Sequence, residues 1–252
     1  MSLRSTPGIG EESFLLAELT AKGTKNLTEK KSKVPRYAAS LSKVFLAAEF
    51  IRLLEQGKTK NREVEITKKD LVGYGTDILA DLVGRKNYIK IDALTLMGLM
   101  IKYSCNSSTL ILAKHFLPDR ITLERSAKEF WALRNSKLIS RNGKGLNSFS
   151  LSDFSRVFEE IYSQKGQHWD FLRNKLKTTR NIYYLFDQQE LEILGSKSGT
   201  KKIGQKYFIN DFGVFRLRNK TYFMGAMVSD KSISNAVIRI REIGRNLLSK
   251  IK

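Results

Sequence analysis

The chain is poor in the residues that build metal centres and disulfide scaffolds. It has one cysteine and two histidines, His115 and His168. A single thiol excludes an internal disulfide framework, and so few soft ligands argue against a zinc centre built from three or four of them. No metal or other cofactor is expected. Long apolar runs are missing too. The most apolar stretches, VFLAAEF (44–50) and LTLMGLMI (94–101), fall well short of the roughly 20 residues that span a bilayer and read as core helices. The opening MSLRSTPGIGEE lacks the apolar segment of a secretory signal. Two explanations fit: a chain that stays in the cytoplasm, or an exported one whose leader has been removed.

Acidic residues are scarce beside basic ones, 25 Asp plus Glu against 45 Lys plus Arg, for a formal charge of +20. The excess is spread over residues 28–33, 58–69, 173–180 and 197–206. Such runs read as solvated faces, or as attraction to an anionic cell-wall or membrane surface. The sequence has no C-x-x-C/H-x-x-x-H finger, no RNA-binding K/R-G-F-G-F strand and no basic helix followed by heptads. Nucleic acid is therefore not the expected partner.

What is present is a core. With 252 residues and 41% hydrophobic content, the chain can form one large domain or two lobes sharing an interior. Residues 12–21 (ESFLLAELTA) read as a strand, and the polar, basic 22–36 as a turn and approach loop. From Ser40, SLSKVFLAAEFIRLLEQGK reads as a helix apolar on most sides, stopped at Gly57. Residues 58–90 read as loop-rich with one short helix. Asp92 then caps ALTLMGLMIKY, and YSCNSS breaks it so that Ser107 or Ser108 caps TLILAKHF. Pro118 and Asp119 precede TLERSAKEFWALR, and Ser150 with Asp153 forms a capping-box-like start for DFSRVFEEIYS. WDFLRNKL adds a short helix.

Beyond residue 182 the period shifts to strands: IYYLFD, ELEILGSKSGT, FGVFRLRN and TYFMGAMVSD, the last two joined through Asn219-Lys220. A terminal amphipathic helix follows, with Ile233, Val237, Ile240 and Ile243 on one stripe. This order predicts an α+β fold, an α/β/α sandwich. Its mainly antiparallel sheet comes from both chain ends, with an all-helical lobe inserted between them. The expected lobes are 1–36 plus 182–252 (α/β) and 37–181 (all-α) within a single domain.

Three short motifs carry chemistry. Ser40 and Lys43 stand three apart at the mouth of the buried helix, close enough for a hydroxyl and an amine to meet. Burial lowers a lysine's pKa toward the range useful for a base. Ser104 and Asn106 flank Cys105 in a polar break between two apolar helices, where a hydroxyl can relay a proton and a side-chain amide can bind a substrate amide. Lys197-Ser198-Gly199-Thr200 ends a strand; Gly199 lets a substrate backbone approach, Lys197 supplies charge, and the hydroxyls of Ser198 and Thr200 can hold a carboxylate. Each motif alone is commonplace. His115 reads as a satisfied or partly exposed helix residue, His168 as a helix cap, and GYG (73–75) as a turn without a phosphate-binding sequel.

In order, S-x-x-K, S-x-N and K-[ST]-G resemble the motif set of the serine β-lactamase and penicillin-binding protein superfamily, with a compact length similar to class A β-lactamases. The separations, 64 residues from Ser40 to Ser104 and 93 on to Lys197, suit that group. So do Asn210-Asp211 and the terminal helix.

The resemblance implies a β-lactam or a peptidoglycan-like peptide as the small-molecule partner, and an extracytoplasmic location. It implies acylation of Ser40, with Lys43 taking the proton and Ser104 returning one to the leaving nitrogen. Lys197 tunes Ser104 electrostatically, and Asn106 holds a substrate amide. The backbone N–H groups of Ser40 and Thr200 form the oxyanion hole, while Ser198 and Thr200 receive a carboxylate.

Two departures stand out. Cys105 occupies the place of the usual Asp and reads as a small buried hydrophobe. No acid lies between Glu129 and Asp153, where class A enzymes carry the Glu that activates the deacylating water; Glu159 and Glu160 fall inside a helix. Acylation is therefore expected to be intact and deacylation slow. A D,D-peptidase or esterase, and a degenerate binding or sensor domain, remain as alternatives.

Overall fold

A computed structural model describes residues 11–73, 77–137, 147–179, 185–186 and 191–251. Both chain ends contribute to one five-stranded sheet, ordered β2-β1-β9-β8-β7 and antiparallel throughout. Its strands are β1 (Glu12–Thr20), β2 (Gly23–Lys30), β7 (Glu192–Ile203), β8 (Lys206–Leu217) and β9 (Lys220–Asp230). Side chains alternate between the faces of a strand, so the sheet separates two cores. Leu15, Ala17, Phe212, Val214, Phe223 and Met227 face the helices inserted between the chain ends. Leu16, Ile209, Phe215, Met224 and Ala226 face α8 (Ile233–Leu248). The β8–β9 turn is Arg218-Asn219, both with positive φ (48° and 62°), the twist that two-residue hairpins require. It lies one residue earlier than the sequence reading placed it.

The inserted helices are α1 (Ser42–Glu55), α2 (Ile78–Lys86), α3 (Ala93–Lys102), α4 (Asn106–Phe116), α5 (Arg120–Glu129), α6 (Leu151–Ser163) and α7 (Gln167–Lys177). Small antiparallel pairs join them: β3 (Arg36–Tyr37) with β6 (Ser148–Phe149), and β4 (Glu63–Thr67) with β5 (Tyr88–Asp92). Among the described residues, no helix is long and apolar enough to cross a membrane.

Several local expectations need correction. Residues 23–30 are an edge strand, not a loop; it is polar on both faces because most of its side chains stay in solvent while its backbone pairs with β1. The 58–90 stretch contains the β4–β5 pair, whose members are too short and too charged to show a clear alternation. Helix α4 starts at Asn106 with Cys105 as its N-cap, so neither Ser107 nor Ser108 caps it. Helix α5 stops at Glu129 because Leu133 N–H turns back to the Ala127 carbonyl (2.9 Å) and Ala132 takes φ 49°. Ser150 does cap α6, but Asp153 reaches instead to Asn135 N (2.9 Å) and Ser136 Oγ (2.6 Å). On α8, Ile233 is 43% exposed, and the buried stripe runs through Ala236, Ile240, Ile243 and Leu247. The strand expected over IYYLFD lies outside the described residues except for Leu185 and Phe186, which are not in a strand.

Helix α1 carries a fully buried carboxylate, Glu49. Arg52 grips it with two hydrogen bonds of 2.7 Å, and Trp131 Nε1 donates a third of 2.8 Å. Removing one partner of a buried ion pair strands the other. Glu49→Ala is therefore expected to cost about 3–5 kcal/mol, read as a large fall in the midpoint of thermal unfolding. An unchanged midpoint would contradict the packing described.

Candidate active site

Ser40 lies in a single 3-10 turn, Ala39–Leu41, just ahead of α1 and not within it. Ala39 is held at φ 47°, a conformation an alanine keeps only where its surroundings impose it. The surroundings do so from two sides. Asn147 accepts from Ala38 N (2.8 Å) and donates to Ser42 Oγ (3.1 Å), which in turn donates to the Ala39 carbonyl (3.1 Å). Gly199 on β7 faces the turn so closely that a Cβ there would stand 2.9 Å from Ser40 N and 3.1 Å from Ala39 Cβ. Asn210, paired with Gly199 across β7–β8, donates to the Tyr37 carbonyl (2.8 Å) and ties the strand to the same segment. Asn147 is not marked in the sequence, and Asn210 is marked there only as part of the Asn210-Asp211 pair, because an asparagine that binds backbone shows no role in a pattern.

One turn into α1, Lys43 is buried, with 5% of its surface exposed. Its Nζ donates to the Ser104 carbonyl (2.6 Å), Ser104 Oγ (3.3 Å) and Asn106 Oδ1 (2.8 Å). Lys197 is fully buried, and its Nζ reaches Ser104 Oγ (3.2 Å) and the Ser198 carbonyl (3.1 Å). Two amines thus converge on one hydroxyl. A hydroxyl has two lone pairs and one proton; with both lone pairs engaged, the proton is directed away from the lysines. Ser104 itself sits at φ 57°, strained for a residue with a Cβ.

Burial dominates the electrostatics. It lowers Lys43 to about 8, with Cys105 and Asp77 partly opposing the shift. It lowers Lys197 to about 7, helped by the neighbouring charge of Lys43 and opposed by Asp211. A neutral amine, the form that takes a proton, is then present near neutral pH.

All three motifs therefore meet: Lys43, Ser104, Asn106 and Lys197 by hydrogen bonds, and Ser40 and Gly199 by backbone contact. Ser198 and Thr200 flank Gly199 on β7, the first half-buried and the second exposed. Cys105 is buried, as expected, but it is no passive hydrophobe. Its Sγ accepts from Ser108 N (3.4 Å) and donates to Asp77 Oδ1 (3.2 Å). His168 is not a cap; α7 is capped at Gly166, and His168 Nδ1 meets Glu55 at 2.6 Å. His115 lies exposed on α4. Residues 138–146, within the acid-free stretch, and Tyr74 and Gly75 of GYG lie outside the described residues.

The sequence pattern of the Beta-lactamase enzyme family matches residues 10–251. The chain belongs to that family. Solved structures agree on the fold. A class A beta-lactamase from Bacteroides cellulosilyticus DSM 14838 superposes with a TM-score of 0.82 at 16% identity, over 97% of this chain and 93% of that one. A beta-lactamase from Chitinophaga pinensis DSM 2588 gives 0.82 at 17% identity, over 95% and 93%. PBP-A gives 0.76 at 20% identity, over 95% and 89%. A PBP-A mutant, 19% identical, has been solved as an acyl-enzyme complex with penicillin G. Comparison with the curated proteins finds no match.

A buried lysine with a depressed pKa destabilises the fold of this beta-lactamase family member in a pH-dependent way. The unfolded chain holds the Lys197 proton up to its ordinary 10.5, while the folded chain releases it near about 7. Between those limits the unfolded state binds more protons, so this contribution makes the protein more stable as pH rises. Lys197→Met removes the penalty. It is expected to raise stability at pH 6 by about 2 kcal/mol and to flatten the rise toward pH 10, as measured by denaturant unfolding across that range. Destabilisation at pH 6 would show that the amine is not desolvated.

Proposed function

We propose that this protein is a serine acyl-transfer hydrolase acylated at Ser40 by β-lactams and slow to release the acyl group. The observation that carries this reading is the convergence of Lys43 and Lys197 on Ser104 Oγ beside the Ser40 turn. In the proposed reaction Ser40 Oγ gives its proton to the neutral amine of Lys43, and its oxygen attacks the lactam carbonyl carbon. The carbonyl oxygen takes the negative charge between the backbone N–H groups of Ser40 and Thr200, where such donors contribute about 3–4 kcal/mol each. Collapse breaks the C–N bond. The leaving nitrogen takes the Ser104 hydroxyl proton, which the Lys43 ammonium replaces, and an ester remains on Ser40. Lys197 holds Ser104 and adds positive charge; Asn106 holds the substrate's side-chain amide; Ser198 and Thr200 receive its carboxylate.

Hydrolysis of that ester requires a base for water. The acid-free run from Phe130 to Ser152 has no carboxylate to offer, which supports a long-lived acyl-enzyme. The likeness to PBP-A favours a second reading, in which the natural substrate is a peptidoglycan-like peptide and the activity that of a D,D-peptidase. Either reading places the site between a 37–181 helical lobe and a lobe of 1–36 plus 182–252. Either also places the protein outside the cytoplasm, where a charge of +20 would favour anionic cell-wall or membrane surfaces.

Intact-mass measurement during incubation with benzylpenicillin and a chromogenic cephalosporin tests the proposal. The expected result is an adduct on Ser40 that persists for many minutes with little turnover, absent in Ser40→Ala. Acylation is expected to rise with pH through a limb near the Lys43 value of about 8, and to fall about 10²–10⁴-fold in Lys43→Ala. Absence of any adduct or turnover would overturn the reading, and fast turnover would overturn the slow-release part.

A further inference from the structure

The loop that presents Ser104 and Asn106 is strained at Ser104 and carries all three acceptors of the Lys43 amine. Something must hold it. From below, Cys105 N donates to the Leu99 carbonyl (3.4 Å), a long contact. The firmer hold comes from outside the loop. Asp77, at the N-cap position of α2, accepts from the Cys105 thiol on Oδ1 (3.2 Å) and from the Ser107 hydroxyl on Oδ2. Ser107 Oγ also accepts from Val72 N (2.9 Å), so the segment before α2 is fastened to the first turn of α4 at two places. Ser107 is fully buried. Burial also pushes the Cys105 thiol up and keeps its proton available for donation.

We propose that Asp77 is the positioning residue of this site. Its carboxylate clamps the Ser104–Cys105–Asn106 loop through Cys105 and Ser107, supplying from a separate segment the acid that the loop itself lacks at its middle position. The inference rests on the acyl-transfer reading for its consequence, but the clamp is a property of the fold. The charge matters as well as the grip. Lys43 is faced by the neutral groups of Ser104 and Asn106, by Cys105, by Lys197 on β7 with Asp211 behind it, and by Asp77. Asp77 favours the ammonium form of Lys43, so its removal lets the amine become neutral at lower pH.

The test is a carboxylate swap, with Asp77→Asn, Cys105→Asp and the double variant compared with the parent. Asp77→Asn is expected to slow acylation by benzylpenicillin about tenfold or more and to move its pH limb downward. Cys105→Asp alone is also expected to slow it, because two carboxylates then face each other. The double variant returns one carboxylate to the cluster and is expected to recover to within about threefold of the parent, with the limb moved back up. Losses that multiply in the double variant, or an Asp77→Asn enzyme that behaves as the parent, would overturn the proposal.

A second readout does not depend on acylation. Cys105 in Asp77→Asn is expected to react with N-ethylmaleimide about tenfold faster than in the parent. Equal rates would contradict the clamp even if no β-lactam acylates the protein, and that result alone would instead refute the functional reading. Should Asp77→Asn fail to fold, recovery of folded protein in the double variant supports the clamp, and no recovery opposes it.

Discussion

Two lysine amines share one serine hydroxyl inside the protein, and much of the surrounding structure exists to make that tolerable. A buried ammonium is costly unless its donors are satisfied. Lys43 places its three N–H donors on the Ser104 carbonyl, Ser104 Oγ and Asn106 Oδ1, and Lys197 bonds Ser104 Oγ and the carbonyl of Ser198. These donors and acceptors come from three segments far apart in the chain. Holding them within hydrogen-bond reach needs α1 packed among α3, α4, α6 and α7, the α3–α4 loop fixed in a left-handed turn at Ser104, and β7 drawn against the Ser40 turn. The sheet built from both chain ends and the helices between them are the frame that brings these pieces together.

The parts of this arrangement that were legible in the sequence are those written in strong local signals. The apolar girth of α1 and the Asp92 and Ser150 caps survive as read, because burial and capping act within a few residues, and three strands do form beyond residue 182, although β7 and β8 run longer than read. The three motifs were legible as a set, since a lysine inside an apolar helix and a lysine within a strand, here the middle of β7, are both anomalies that call for a reason. What stayed hidden depends on distant backbone. β2 shows no alternation because an edge strand with solvent on both faces needs none. Cys105 reads as a hydrophobe until the Asp77 carboxylate, 28 positions upstream, is seen beside it. Asn147 and Asn210 do their work on main-chain atoms of the Ser40 segment, a role that no residue type announces. The spacing of Ser150 and Asp153 reads as a capping box, yet the Asp153 carboxylate is spent on Asn135 and Ser136, inside the acid-free segment.

That segment gives the site its chemical character. In the proposed reading the groups that form an ester on Ser40 are gathered around two buried lysines, whereas the stretch that supplies a water-activating acid in class A enzymes is neutral or basic here. On that proposal the protein captures its substrate first and turns it over second. The same economy appears in the S-C-N loop, where the acid is brought in by another segment and the local sequence is free to carry a thiol.

The proposed chemistry depends on the protonation state of the two amines. Nitrogen-15 NMR of the lysine side chains, with Lys43 and Lys197 assigned by single substitution to arginine, measures it directly across pH 5 to 12. The structure predicts that both titrate well below an ordinary lysine, Lys43 at about 8 and Lys197 at about 7, and that Lys197 moves up when Lys43 is replaced by methionine. If both titrate near 10.5 as independent, solvated amines, they do not share the Ser104 hydroxyl in a dry interior, and the proposed chemistry loses its base.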